Sequence, residues 1–139
     1  MTTPLVLDAW AILAFLQQEE PAASRVKQIL IEAQRHPHLL HISIINLGEI
    51  FYRIGRLHGL REAERTIGDL RSMPLNVLPA NEDLVFEAAT LKTKFPISYA
   101  DAFAAAAARR LKGILLTGDP ELLRLRKAIR IRKLTRKKK

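Results

Sequence analysis

The residue pattern predicts an α/β fold in three layers, α/β/α, around a central, mostly parallel sheet of four to five strands. Short apolar runs alternate with longer segments of helical periodicity along the whole chain, the signature of strands joined by crossover helices. No connection is long enough to mark a second domain, and there is no internal repeat. Two of the apolar runs are followed closely by an aspartate, Asp8 and Asp119. In parallel sheets the functional edge lies just beyond the carboxyl ends of the strands.

Each element has a local reason. Leu5-Val6-Leu7 is an apolar run closed by Asp8, and residues 9–18 combine helix formers with apolar spacing. Pro21 opens a second helix over 22–34, with Val26, Ile29, Leu30 and Ala33 on one face, and His36-Pro37 ends it. Residues 39–42 form the second strand. Ser43 caps a helix that runs to about His58, where Gly59 stops it, and a further helix covers 61–72 before Pro74. Residues 75–78 are the third strand, and Asn81 caps a helix over 82–94. Pro96 breaks the chain, and Ser98 restarts it as an alanine-rich helix over 99–111. Residues 113–117 are the most continuous strand signal. Asp119-Pro120 begins a last helix to about Lys127, and 129–134 read as a final edge strand.

A chain of 139 residues fits one domain, here 1–134, and buries a real core without covalent staples. Cysteine is absent, which excludes disulfides, thiolate zinc sites and cysteine nucleophiles. The apolar start, residues 1–16, has no basic leader and is interrupted by Asp8, so a signal peptide or membrane span is not expected there, and the location is read as cytoplasmic. The formal net charge of +9 is localised. Residues 124–139 hold ten of the 23 Lys and Arg and no acid, while the rest of the chain holds 13 basic against 14 acidic groups. Residues 135–139 therefore read as a disordered basic tail, with Arg136, Lys137, Lys138 and Lys139 available to nucleic-acid phosphates.

Four carboxylates carry the chemistry. Asp8, Asp101 and Asp119 each have a helix-start explanation: Asp8 as N-cap, Asp119 as N-cap before Pro120, and Asp101 as the third residue of a Ser98-x-x-Asp101 capping box. Glu49 has none, because its neighbours Ile45, Leu47, Ile50 and Phe51 are apolar, and a charge there needs a partner or a metal. Asn46 lies one turn earlier on the same face, and Gly48 is read as allowing close approach of another backbone. Capping and clustering are compatible, since helix starts and strand ends share one edge of a parallel sheet. If the four acids meet, their mutual repulsion calls for a hard divalent cation. His36, His38 and His41 straddle a helix end and are read as surface or packing residues, and Trp10 as a packing or pocket-wall residue. No P-loop, dinucleotide fingerprint or serine elbow is present.

In this order the stretches Leu5-Val6-Leu7-Asp8-Ala9, Asn46-Leu47-Gly48-Glu49-Ile50-Phe51-Tyr52-Arg53, Ile97-Ser98-Tyr99-Ala100-Asp101-Ala102-Phe103-Ala104-Ala105-Ala106 and Leu116-Thr117-Gly118-Asp119-Pro120-Glu121 resemble a PIN domain, and more narrowly the VapC-type toxins of prokaryotic toxin-antitoxin pairs. Trp10 departs from the small polar residue usual after the first acid, and the basic tail exceeds the usual family end. The resemblance implies a metal-dependent endoribonuclease in which Asp8, Glu49, Asp101 and Asp119 hold Mg²⁺ or Mn²⁺ and are catalytic. Asn46, Ser98 and Thr117 are then water-positioning or outer groups. It also implies an antitoxin lying in a groove among the helices, and a homodimer. The alternative, motivated by Trp10 and the tail, is a catalytically silent PIN-like RNA-binding or interaction module. A small phosphatase is disfavoured because Asp8-Ala9-Trp10 lacks a second aspartate.

Overall fold

The computed structural model describes residues 3–137. Along the chain run β1 (Leu5–Leu7), α1 (Ala9–Leu16), α2 (Ala22–Ala33), β2 (Leu40–Ser43), α3 (Ile44–His58), α4 (Leu60–Arg71), β3 (Asn76–Leu78), α5 (Glu82–Lys94), α6 (Tyr99–Arg110), β4 (Ile114–Thr117), α7 (Pro120–Leu123) and β5 (Ile131–Lys133). All strand pairs are parallel, in the order β3-β2-β1-β4-β5. The chain therefore winds outward from β1 to β3 and then returns to the other side of β1 with β4. This reversal puts the topological switch point between β1 and β4.

Alternation along β1 divides the core in two. Leu5 and Leu7 join Leu40, Ile42 and Leu116 beneath α1 to α4, while Val6 and Leu115 face α5 and α6 on the other side. Both faces are thus covered, as an all-parallel sheet requires, and the fully buried Leu7, Ile42 and Leu116 each contribute roughly 1.5–3 kcal/mol by leaving water. Helix α6 is buried without a break from Asp101 to Ala108. Its alanines let it lie against both the sheet and α5, where longer side chains would force the layers apart.

The caps are the ones that the residues dictate. Ser43 Oγ accepts from Ile45 N (3.1 Å), Asn81 Oδ1 from Leu84 N (3.0 Å), and Gly59, with φ +92°, ends α3 in a conformation that favours glycine. Three expectations change. The last helix stops at Leu123 rather than about Lys127, because bonds from Leu125 N to Leu122 O and from Ala128 N to Leu125 O tighten the chain into turns that keep Leu122, Leu125 and Ile129 buried. A Cβ on Gly48 would meet nothing within 4 Å, so this glycine lets no backbone approach and leaves open space beside Glu49.

The third concerns the tail. Residues 135–137 are not free: Ala22 N donates to Thr135 O (3.0 Å), Lys137 N donates to Glu20 O (2.9 Å), and Arg136 bridges antiparallel to Pro21. The chain leaving β5 is pinned by backbone bonds across the start of α2. Lys138 and Lys139 lie outside the described residues. Among the described residues, no helix is long and apolar enough to cross a membrane.

Candidate active site

The site is assembled from strand exits and helix starts at the switch point. As β1 ends, Asp8 turns inward at 1% exposure, and its Oδ1 caps α1 by accepting from Ala11 N at 2.9 Å. Thr117, the last residue of β4, donates its hydroxyl to Asp8 Oδ2, and the same Oγ1 accepts from Asp119 N at 3.0 Å. Ser98 Oγ accepts from Asp101 N at 3.1 Å, which starts α6 so that Asp101, 7% exposed, falls on its inner face. Asn46 Nδ2 donates to Ala100 O at 3.1 Å and ties α3 to that first turn of α6. One turn further along α3, Glu49 reaches the same place.

Glu49, Asp101 and Asp119 line one pocket of about 230 Å³, together with Trp10 and Leu13 of α1, Arg53 of α3 and Arg136. Asp8 lies behind this wall with both oxygens already engaged. A carboxylate has about four lone-pair positions, so Asp8 retains acceptor capacity beyond those two bonds. Carboxylate oxygens of Asp101, Asp119 and Glu121 lie within 4.8 Å of one another. Glu49 Oε2 pairs with Arg53 Nη2 at 3.0 Å, while its Oε1 is buried without a partner among the described residues, as is Asn46 Oδ1.

The acids feel one another. Burial pushes the Asp8 carboxyl up to about 7, and repulsion from Asp119 and Glu49 adds to this against the lowering bonds from Thr117 and Ala11. Asp101 is pushed up to about 8, again by burial first, then by the charges of Asp119 and Asp8, by a hydrogen bond shared with Asp119, and by Glu49. Such a cluster stores electrostatic cost that a divalent cation relieves. The donors fit one: they are oxygens only, they converge on one pocket, and the Glu49 oxygen left without a partner is an acceptor awaiting a cation.

Residues 5–128 match the PIN domain family. The chain belongs to that family. No curated protein matches it by sequence. Among solved structures, this PIN domain is similar to the DNA-bound VapBC of Salmonella typhimurium (17% identity, TM-score 0.72, covering 96% of this chain and 98% of the other). It is also similar to VapBC2 of Rickettsia felis bound to a promoter DNA fragment (14%, 0.69, 94% and 98%) and to VapBC-1 of nontypeable Haemophilus influenzae (22%, 0.65, 93% and 96%). At these identities the likeness is one of fold.

Within the PIN domain, Asp8, Glu49, Asp101 and Asp119 converge, with Asp8 recessed. Thr117 bridges the Asp8 side chain and the Asp119 backbone, Asn46 holds α3 on α6, and Ser98 is an exposed cap that touches the site only through the Asp101 amide. His41 Nε2 sits 2.9 Å from His38 O, away from the pocket, in a packing role. Sequence reasoning missed three residues as site members. Glu121 is signalled by its place two residues after Asp119, and Arg53 by its i,i+4 spacing from Glu49. Arg136 falls in the stretch that reads as a free tail, and no local signal seats it in the pocket.

Proposed function

We propose that this PIN domain is a Mg²⁺- or Mn²⁺-dependent endoribonuclease and the toxin of a toxin-antitoxin pair. The observation that carries the reading is the pocket at the β1/β4 switch point, where Glu49, Asp101 and Asp119 form the wall, Asp8 backs it, and one buried Glu49 oxygen has no partner among the described residues. A divalent cation held by these acids would supply an acidified water and stabilise charge on the phosphodiester as it is cleaved. The chain's own residues do the rest. Thr117 keeps Asp8 and Asp119 in register, Asn46 ties α3, which carries Glu49, to the first turn of α6, which carries Asp101, and Arg53 restrains the second Glu49 oxygen. The fold shared with VapBC structures supports an antitoxin partner. The open apolar side chains of Leu57 and Leu60, at the turn from α3 to α4, offer it a surface. The reading includes a homodimer and a cytoplasmic location.

Purified protein is expected to cleave RNA with added Mg²⁺ or Mn²⁺ and to stop in EDTA. Cleavage that persists unchanged in Asp101→Asn or Asp8→Asn would sink the assignment. A second reading, a silent RNA-binding module, is favoured by one feature: Arg53 already neutralises one Glu49 oxygen. It predicts salt-dependent RNA binding with no turnover and no Mn²⁺ binding that depends on the acids.

A further inference from the structure

We propose that Arg136 is a substrate-binding residue that grips an RNA phosphate at the rim of the acidic pocket, next to the bond that is cleaved. The substrate is a polyanion, and three carboxylates line the wall it must approach. A cation among those acids removes the repulsion there, but a neighbouring phosphate needs a positive group of its own. Arg136 lines the same pocket, carried there by the chain beyond β5.

Its seat is built. The backbone is pinned on both sides of Arg136, from Thr135 to Ala22 and from Lys137 to Glu20. The guanidinium carbon lies 5.0 Å from the centroid of the Trp10 ring, and Nη1 is 2.9 Å from Glu19 Oε1. Trp10 is itself held, because its ring edge occupies the space where a Cβ on Gly118 would be, 2.3 Å away. The side chain is therefore restrained before any ligand arrives, which reduces the entropy lost on binding.

Its pairing separates a phosphate grip from a plug. An arginine that neutralised the pocket would pair with Glu49, Asp101 or Asp119. Among the described residues the only ion pair of Arg136 is with Glu19, outside the acid cluster. Glu19 engages Nη1, and no hydrogen-bond partner is present among the described residues for Nε or Nη2. Those donors can take a phosphate. The neighbouring residues Leu134 and Thr135 line a second groove of about 210 Å³ together with Arg25, Arg132 and Lys133.

The assignment rests on the ribonuclease reading for its substrate, and the test separates the two. A short fluorescein-labelled single-stranded oligouridylate is titrated against the full chain by polarisation in Ca²⁺ across a salt series, and its cleavage is followed in Mn²⁺. Arg136→Ala is expected to weaken binding about tenfold and to lower the log–log salt slope by about one. In cleavage it raises KM with little change in kcat. Arg136→Lys keeps the slope but recovers only part of the affinity. Arg35→Ala, with the same charge loss just past α2 and near the amino end of β2, is the control and stays within about twofold. Arg136→Ala indistinguishable from Arg35→Ala overturns the assignment, and Mn²⁺-dependent cleavage by wild type then leaves the ribonuclease reading intact. Tighter binding or faster cleavage in Arg136→Ala also overturns it, since the side chain would then be a plug. Binding through Arg136 without any Mn²⁺-dependent cleavage supports the phosphate subsite and overturns the ribonuclease reading alone.

Discussion

The Thr117 hydroxyl donates to the carboxylate of Asp8, a residue 109 positions earlier, and accepts from the Asp119 amide at 3.0 Å. One oxygen thereby joins the exits of β1 and β4 and sets the spacing of two acids on either side of the switch point. Both contacts are removed together in Thr117→Val, leaving a buried carboxylate and a backbone amide short of partners. The expected cost is about 1–3 kcal/mol in urea unfolding, with weaker Mn²⁺ binding, whereas Thr117→Ser retains most of both. Wild-type stability in Thr117→Val would mean that the bridge is dispensable.

Asp8 and Asp101 make the metal-free protein sensitive to pH in the sense opposite to an ordinary salt-bridged aspartate. Their folded values, about 7 and about 8, lie above the ordinary value of 3.8, so between these limits the folded state binds more protons than the unfolded chain. Their contribution to stability is fully present below pH about 4 and is lost as pH rises through 7 and 8. In EDTA, the melting temperature of Asp101→Asn relative to wild type should therefore improve as pH rises from 5 to 8. A relative stability that is flat over this range, followed by calorimetry, would contradict the shared burial of the acids.

Mn²⁺ should reverse that pH effect. Because it binds the ionised cluster, the stabilisation it adds grows with pH, and the added increment follows the ratio of free metal to its dissociation constant. Calorimetric scans with and without Mn²⁺ at two pH values check this, with Ca²⁺ as a second hard cation.

Glu49→Gln keeps the shape of the side chain but removes its charge and weakens the contact with Arg53. Since that ion pair is partly exposed on the Arg53 side, the cost to folding should be small, below about 1 kcal/mol. Mn²⁺ affinity, measured by titration calorimetry, is expected to fall at least about tenfold. Equal losses in both measurements would reduce Glu49 to a structural residue.

Gly118 and Trp10 should behave as a coupled pair. A Cβ at Gly118 would sit 2.3 Å from the Trp10 ring and 2.7 Å from Leu134 O. Gly118→Ala is therefore expected to destabilise by about 1–3 kcal/mol, and by less when Trp10 is replaced by Ala. A double-mutant cycle by urea unfolding measures the difference. Because Leu134 O also crowds the site, relief is expected to be partial.

What was legible in the sequence was local. Alternating apolar runs and helical spacing, together with caps such as Ser43, Asn81 and Ser98, depend on residues a few positions apart, and the elements fall where those signals put them. Asp8 and Asp119 were legible for the same reason, since an aspartate that caps a helix after a strand lies on the functional edge, whereas Asp101 was marked by its Ser98 capping box and Glu49 by its apolar neighbours. Where local signals compete, the reading slipped. Residues 124–128 have helical character, yet burying Leu125 and Ile129 draws them into tighter turns, and the charge of residues 135–139 obscured how 135–137 bond to the start of α2.

By itself, then, the sequence determined the layers and the helix starts, and marked Asp8, Glu49, Asp101 and Asp119 as candidates, because these are read from short-range sterics, hydrogen bonding and periodic burial. Only the tertiary structure decided that β1 lies beside β4, that Asp8 stands behind the pocket while Glu49, Asp101 and Asp119 form its wall, and that Glu121, Arg53 and Arg136 join them. Strand order and side-chain contact arise from pairing between segments far apart in the chain. The bond between Thr117 and Asp8 and the seat of Arg136 on Trp10 exist only once those segments have packed.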